Sequence, residues 1–190
     1  MTQPESEALE ALDYSEAWIE SGLMDDALLA EQYRRFREGG TRKTGRYRAE
    51  MLAAWLERAE TIEDAQIDSY LALTATDPDA KLAAAAVAQL IQSPRLTLEQ
   101  LERVARADPK QMRRHEALIR RTYLGRRLEA EVSDELMDRV IDSRDLAIQT
   151  KLVRDARLSR KHAEALARRG ANPTIRANAM AWFQDKKAWS

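Results

Sequence analysis

Four short turns punctuate this chain at near-regular intervals, and they constrain its fold more than any other feature. Asp77-Pro78, Asp108-Pro109 and Asn172-Pro173 repeat one chemistry, and Ser143-Arg144-Asp145 stands in the remaining place without a proline. The side-chain oxygen of Asp or Asn accepts hydrogen bonds from the free N–H groups of a helix's first turn. Proline suits the first helical position because the N–H it lacks would have no partner there. Each turn therefore predicts the start of a helix, with Ser143 as the cap and Asp145 in the first turn where proline is missing. The steps between turns average about 32 residues, within the span of solenoid repeats.

A second set of caps falls between these turns. Thr97-Leu98-Glu99-Gln100 and Thr61-Ile62-Glu63-Asp64 have the form of capping boxes, and Ser133 and Ser159 occupy the same slot later in the chain. Behind each cap runs an apolar stripe at spacings of three and four: Ile67, Tyr70 and Leu71; Leu101 and Val104; Met137, Val140 and Ile141; Ala163 and Leu166. The segments after the turns carry their own stripes, such as Ala86 and Leu90 or Ile175, Ala179 and Met180. A helix pair this short cannot bury both apolar faces alone, whereas stacked neighbours can. The expectation is an all-α chain of about ten or eleven helices, with antiparallel hairpins stacked as an α-solenoid from residue 61 onward.

The residues of two of these helices resemble a known family. Asp77-Pro78-Asp79, with Ala85-Ala86 and Leu90 behind it, looks like the second helix of a HEAT repeat. Asn172-Pro173-Thr174-Ile175-Arg176-Ala177-Asn178-Ala179 is similar to the same helix, including its apolar-Arg pair. The resemblance, to HEAT-like (armadillo-type) α-helical repeat proteins, covers roughly residues 61–188 and implies a solenoid fold. The 143–145 turn departs from the pattern.

Residues 1–60 lack the Asp-Pro turn. They read as three helices: 4–21, stopping at Gly22; 26–38, capped by Asp25 and stopped by Gly39-Gly40; and a third starting at Thr44. Terminal units of repeat arrays are atypical, so 1–60 is expected to cap the repeats of 61–190 within one continuous domain.

Composition narrows the chemistry. The chain has 190 residues and no cysteine, which excludes disulfides, thiol catalysis and cysteine-based zinc or iron–sulfur sites. No apolar run approaches the roughly 20 residues of a membrane span, so no membrane partner is expected. The acidic first residues lack the basic-then-apolar form of a signal peptide, and a cytoplasmic location is the expectation. Abundant Ala, and Arg in excess over Lys, hint at a GC-rich bacterial genome.

Net charge is −1, but residues 1–100 carry −9 and residues 101–190 carry +8. Such polarity between halves points to an ionic partner. The segment from Arg34 to Arg48 holds seven basic residues against one acid, with three glycines. Arg42, Lys43, Arg46 and Arg48 are candidate polyanion-binding residues there. Glycine-freed backbone N–H groups opening onto a helix N-terminus form a sensible phosphate site, and Tyr47 offers a stacking surface. The alternative is a solvated loop whose cations meet the acidic first helix. Arg106, Lys110, Arg113 and Arg114 form a second candidate surface around the Asp108-Pro109 turn, against the alternative of a solvated face with pairs such as Glu102–Arg106.

His115-Glu116 looks like the His-Glu pairs from which HEAT-type deoxyhypusine hydroxylases assemble a di-iron site. The matching positions of the other second helices hold Ala, Gln or Asn, so that activity is rejected. His115 and His162 read as structural, and neither metal nor cofactor is expected. Trp18 and Trp55 lie on apolar stripes. Trp182 and Trp189 are either a terminal cap or an aromatic contact patch. No Ser-His-Asp order or nucleophile elbow is present.

The leading expectation is a non-enzymatic binding or scaffold module that presents a charged solenoid surface to a macromolecule, most simply a protein. The alternative is nucleic-acid binding through loop 39–48 and the basic second half. HEAT-like DNA glycosylases show that the resembled fold can hold DNA, but none of their catalytic residues can be placed here. A DNA-modifying enzyme is therefore the third reading.

Overall fold

The computed structural model describes residues 3–184, and among these every regular element is helical. Backbone contacts divide the chain into two compact units, Met1–His115 and Glu116–Ser190.

The first unit contains α1 (Gln3–Ala11), α2 (Glu16–Glu20), α3 (Asp26–Arg37), α4 (Gly45–Arg58), α5 (Asp64–Thr76), α6 (Ala80–Gln92), α7 (Leu98–Arg106) and α8 (Pro109–Met112), closed by a 3-10 turn over Arg113–His115. Several caps form as the residues dictate. Asp25 accepts from Leu28 N at 2.6 Å, and Thr97 and Gln100 complete a capping box. Others shift. Glu63 with Gln66, not Thr61, boxes the start of α5. Asp79, not Asp77, caps α6, accepting from Lys81 N and Leu82 N, while Asp77 Oδ1 accepts from Asp79 N at 2.7 Å.

Residues 4–21 are not one helix: the chain turns at Asp13, whose φ is +60. That turn is tied to α4. Arg48, only 3% exposed, donates to the carbonyls of Leu12 (3.5 Å) and Asp13 (3.1 Å), where α1 has ended. The same guanidinium pairs with the Asp13 carboxylate at 3.0 Å and, through Nε and Nη2, with Asp77 at 2.8 and 3.2 Å. Burial pulls the Arg48 pKa down, but the bonds and charges of Asp77 and Asp13 outweigh it and raise the pKa. Beside it, fully buried Gln32 accepts from Tyr14 Oη at 2.8 Å and donates to the carbonyl of Tyr47 at 2.9 Å. These two polar residues join the α1–α2 turn, α3, α4 and the α5–α6 turn, around a core that includes Trp18, Met51, Trp55 and Tyr70.

The second unit contains α9 (Glu116–Ala130), α10 (Asp134–Ser143), α11 (Leu146–Val153), α12 (Arg160–Arg169) and α13 (Pro173–Gln184). Its core gathers Leu124, Leu128, Val140, Ile148, Leu152, Leu166 and Ala179. Ser133 and Ser159 cap α10 and α12, and Asn172 accepts from Ile175 N at 2.8 Å beside Pro173. At the proline-free turn the roles are exchanged. Asp145 is the cap, accepting from Ala147 N and Ile148 N, while Ser143 ends α10 and supports Asp145 N. Fully buried Gln149 closes this turn, donating to the Ile141 carbonyl at 2.7 Å and accepting from Ala171 N at 2.7 Å.

Asp108 caps Lys110 N at 2.8 Å as its sequence predicts, yet the helix it opens lasts four residues before the 3-10 turn intervenes. A single long second helix is absent at that turn. No helix among the described residues is long and apolar enough to cross a membrane.

Candidate functional site

The segment between α3 and α4 forms an ordered turn. Gly39 takes φ +91 after the last turn of α3, and Gly40 N donates to the Arg35 carbonyl at 2.8 Å. A Cβ at Gly40 would lie 2.6 Å from that same carbonyl oxygen, so the approach requires glycine. A Cβ at Gly45, at the start of α4, would lie 3.0 Å from Asp79 Cβ.

The seven basic residues of this segment separate by what holds them. Arg34 pairs with Glu31 at 2.7 Å and Glu38 at 2.8 Å. Arg35 pairs with Glu50 at 2.7 Å, and that hydrogen bond holds its pKa above the ordinary value. Arg37 lies over the Tyr33 ring. Arg48 is withdrawn into the hub described above, so it does not belong to a polyanion surface. What remains is Arg42, Lys43 and Arg46. All three are exposed, and among the described residues no carboxylate lies within 4.0 Å of any of them. Arg42 is steadied by stacking over Phe36, 4.5 Å from its ring centre.

One further expectation for this loop is corrected. Tyr47 is 3% exposed, with Phe36 edge-on to it and Arg35 above it. It offers no open face for a base. Of the loop's backbone donors, Gly39, Gly40, Lys43, Arg46, Tyr47 and Arg48 give their N–H to nearby oxygens. The loop therefore presents side-chain charge without a stacking platform.

The second set of cations is not one surface. Arg106 pairs with Glu102 at 3.0 Å and lines a groove beside Arg103, which bridges to Asp64 and Asp68. Lys110 and Arg114 line a different cleft, with Asp77, Asp108 and His115 in its wall. Arg113 is exposed in the 3-10 turn. Trp182 is half-buried and packs against the core of the second unit, while Trp189 lies outside the described residues.

Both histidines are buried. His162 is fully enclosed, its Nδ1 2.6 Å from Ser159 Oγ and its Nε2 3.4 Å from Asp138. His115 is 7% exposed, and its Nε2 is buried without a hydrogen-bond partner. Burial is the larger cause, and the Arg114 charge the smaller, of a His115 pKa below the usual value. Among the described residues no three His, Asp or Glu side chains gather as a metal site. Comparison with protein-family models, curated proteins and solved structures finds no match for this chain.

Proposed function

We propose that this chain is a non-enzymatic binding module of HEAT-like helical hairpins, acting in the cytoplasm, that docks an acidic segment of a partner protein on the edge formed by Arg42, Lys43 and Arg46. The hairpin reading draws on the contacts between successive helices α5 and α6, α10 and α11, and α12 and α13. The docking reading rests on one observation. These three cations are left without carboxylates on a turn whose aromatic ring is already buried. An acidic peptide needs only point charges and bidentate guanidinium groups. A nucleic acid gains most from stacking faces and a long track of cations.

Fluorescence anisotropy tests this with three probes: a glutamate-rich peptide, a DNA duplex and a single-stranded RNA, each titrated at several salt concentrations. The expected result is saturable peptide binding that weakens with salt and falls about tenfold or more in the R42A/K43A/R46A variant. The stability of that variant should change by no more than about 1 kcal/mol, as for exposed charges generally. Tighter binding of DNA or RNA, with log affinity falling by nearly one unit per unit of log salt for each phosphate contacted, replaces the protein reading by the nucleic-acid one. Unchanged peptide binding in the variant removes the loop as the docking edge.

A further inference from the structure

We infer that the cleft bounded by the end of α5, the start of α6 and the α8 turn is a binding site for a small anion bearing a phosphoryl or carboxylate group, held by Lys110, Arg114 and His115. The site is independent of the docking edge proposed above and would survive its failure.

The space comes from α6. Ala80, Ala83 and Ala84 lie three and four positions apart, so one face of that helix offers only methyl groups to the cleft. The void is about 220 Å³. That is below the roughly 300–1,000 Å³ of drug-sized pockets, and it suits a molecule of few heavy atoms. Gln111 Nε2 donates to Thr74 Oγ1 at 2.9 Å, which ties the α8 wall to the end of α5.

The formal charges of the wall balance, Lys110 and Arg114 against Asp77 and Asp108, but both aspartates have other partners. Asp77 is engaged from behind by both arms of Arg48. Asp108 Oδ1 serves as a helix cap for Lys110 N. Lys110 and Arg114 are exposed, and among the described residues no carboxylate lies within 4.0 Å of either. Arg114 carries the planar fork that matches a carboxylate or phosphoryl group, and Lys110 adds a compact charge.

His115 supplies the observation that points to a ligand. His115 is one of the residues lining the cleft, it is 7% exposed, and its Nε2 is buried with no partner. Buried polar atoms in native proteins are almost always bonded, so an unmatched one calls for a partner. A neutral imidazole offers one N–H and one lone pair, enough to hold an anion's oxygen by hydrogen bond while the two cations balance its charge.

The chain has only two histidines, so their ring resonances provide a direct assay. The ring signals of the full chain would be followed in NMR titrations with inorganic phosphate and, separately, with succinate, at constant ionic strength and slightly alkaline pH. Fully buried His162 serves as the internal control. The expected result is a saturable shift at His115 with at least one probe and none at His162. Arg114→Gln should weaken the response about tenfold or more, and Lys110→Gln should weaken it less. Ala84→Leu, which fills the void, should abolish the response with an unchanged circular-dichroism spectrum. Saturation by phosphate alone assigns the phosphoryl class, and by succinate alone the carboxylate class. No saturation with either probe, equal shifts at His115 and His162, or an Arg114→Gln variant that titrates as wild type would overturn the site.

Discussion

In the first unit, fully buried Gln32 sits beside an arginine-aspartate pair that is itself buried, Arg48 at 3% and Asp77 at 9% side-chain exposure. In the second, fully buried Gln149 plays the same joining role, but the ionic contacts between helices lie at the rim. There Asp134, Asp138 and Asp142 run along one face of α10 at spacings of four. They meet α12 through Lys161 at 3.7 Å and Arg169 at 3.1 Å. A ladder of exposed pairs contributes little, and salt screens it. A buried pair adds little net stability over an apolar filling, but losing one partner strands the other charge in the interior. The two units thus differ less in how strongly charge holds them than in how badly each tolerates its removal.

The sharpest way to break this contrast is Arg48→Met. It leaves Asp77 and the carbonyls of Leu12 and Asp13 without their donor and should cost about 3–5 kcal/mol, as for other broken buried pairs. Chemical denaturation measures the loss, and hydrogen exchange should place it in α1 and α4 while α10 and α12 stay protected. Adding Asp77→Asn should restore a large part; a cost below about 1 kcal/mol for Arg48→Met alone would mean that the hub is dispensable. Gln149→Leu should come next. It strands the Ala171 N–H and leaves the Ile141 carbonyl only its 3.4 Å bond from Arg144 N, a penalty of about 1–3 kcal/mol for a buried unmatched group, read as a lower melting temperature. The smallest effect belongs to Lys161→Ala with Arg169→Ala. That pair of changes should cost less than about 1 kcal/mol at low salt and nothing measurable in molar salt. A larger, salt-independent loss would show that the rim ladder behaves like the buried hub.

Much of the helical layout was legible in the residues. Thr97 with Gln100, Ser133, Ser159, Asp25 and Asn172-Pro173 cap where their chemistry says they should, because capping is a local competition among neighbouring groups. The caps that moved are equally local. At Asp77-Pro78-Asp79 two aspartates flank one proline; the second caps α6, while the first is bound by Arg48 and by the N–H of Asp79. The buried polar residues were missed for a different reason. Arg48 was grouped with a basic run, although it shares a helical face with Met51, Leu52 and Trp55 at spacings of three, four and seven. His115 sits likewise with Met112, Gln32 with Leu28, Leu29 and Phe36, and Gln149 with Leu152 and Val153. A polar residue on an apolar stripe is a signal of burial, whereas its distant partner, such as Asp13 for Arg48, has no signature in sequence spacing. The cleft at His115 was hidden for the same reason, since its walls come from two segments, 74–84 and 108–115, that are distant in the chain.

The two carboxylates of Arg48 stand 35 positions before it and 29 after it. A ribosome delivers them in that order, at about 5–20 residues per second. While the nascent chain grows, α4 leaves the exit tunnel with Asp13 already available and Asp77 still unmade or enclosed. For that interval, a few seconds long, the arginine has only its more exposed partner, and the α1–α2 turn can be held by one anchor alone. Arrival of the α5–α6 turn is then the event that lets α4 sink its charge. The N-terminal helices thus have to wait for a segment outside their own stretch before they can be sealed, so a pause in translation shortly before residue 77 would prolong the exposure of an unfinished core.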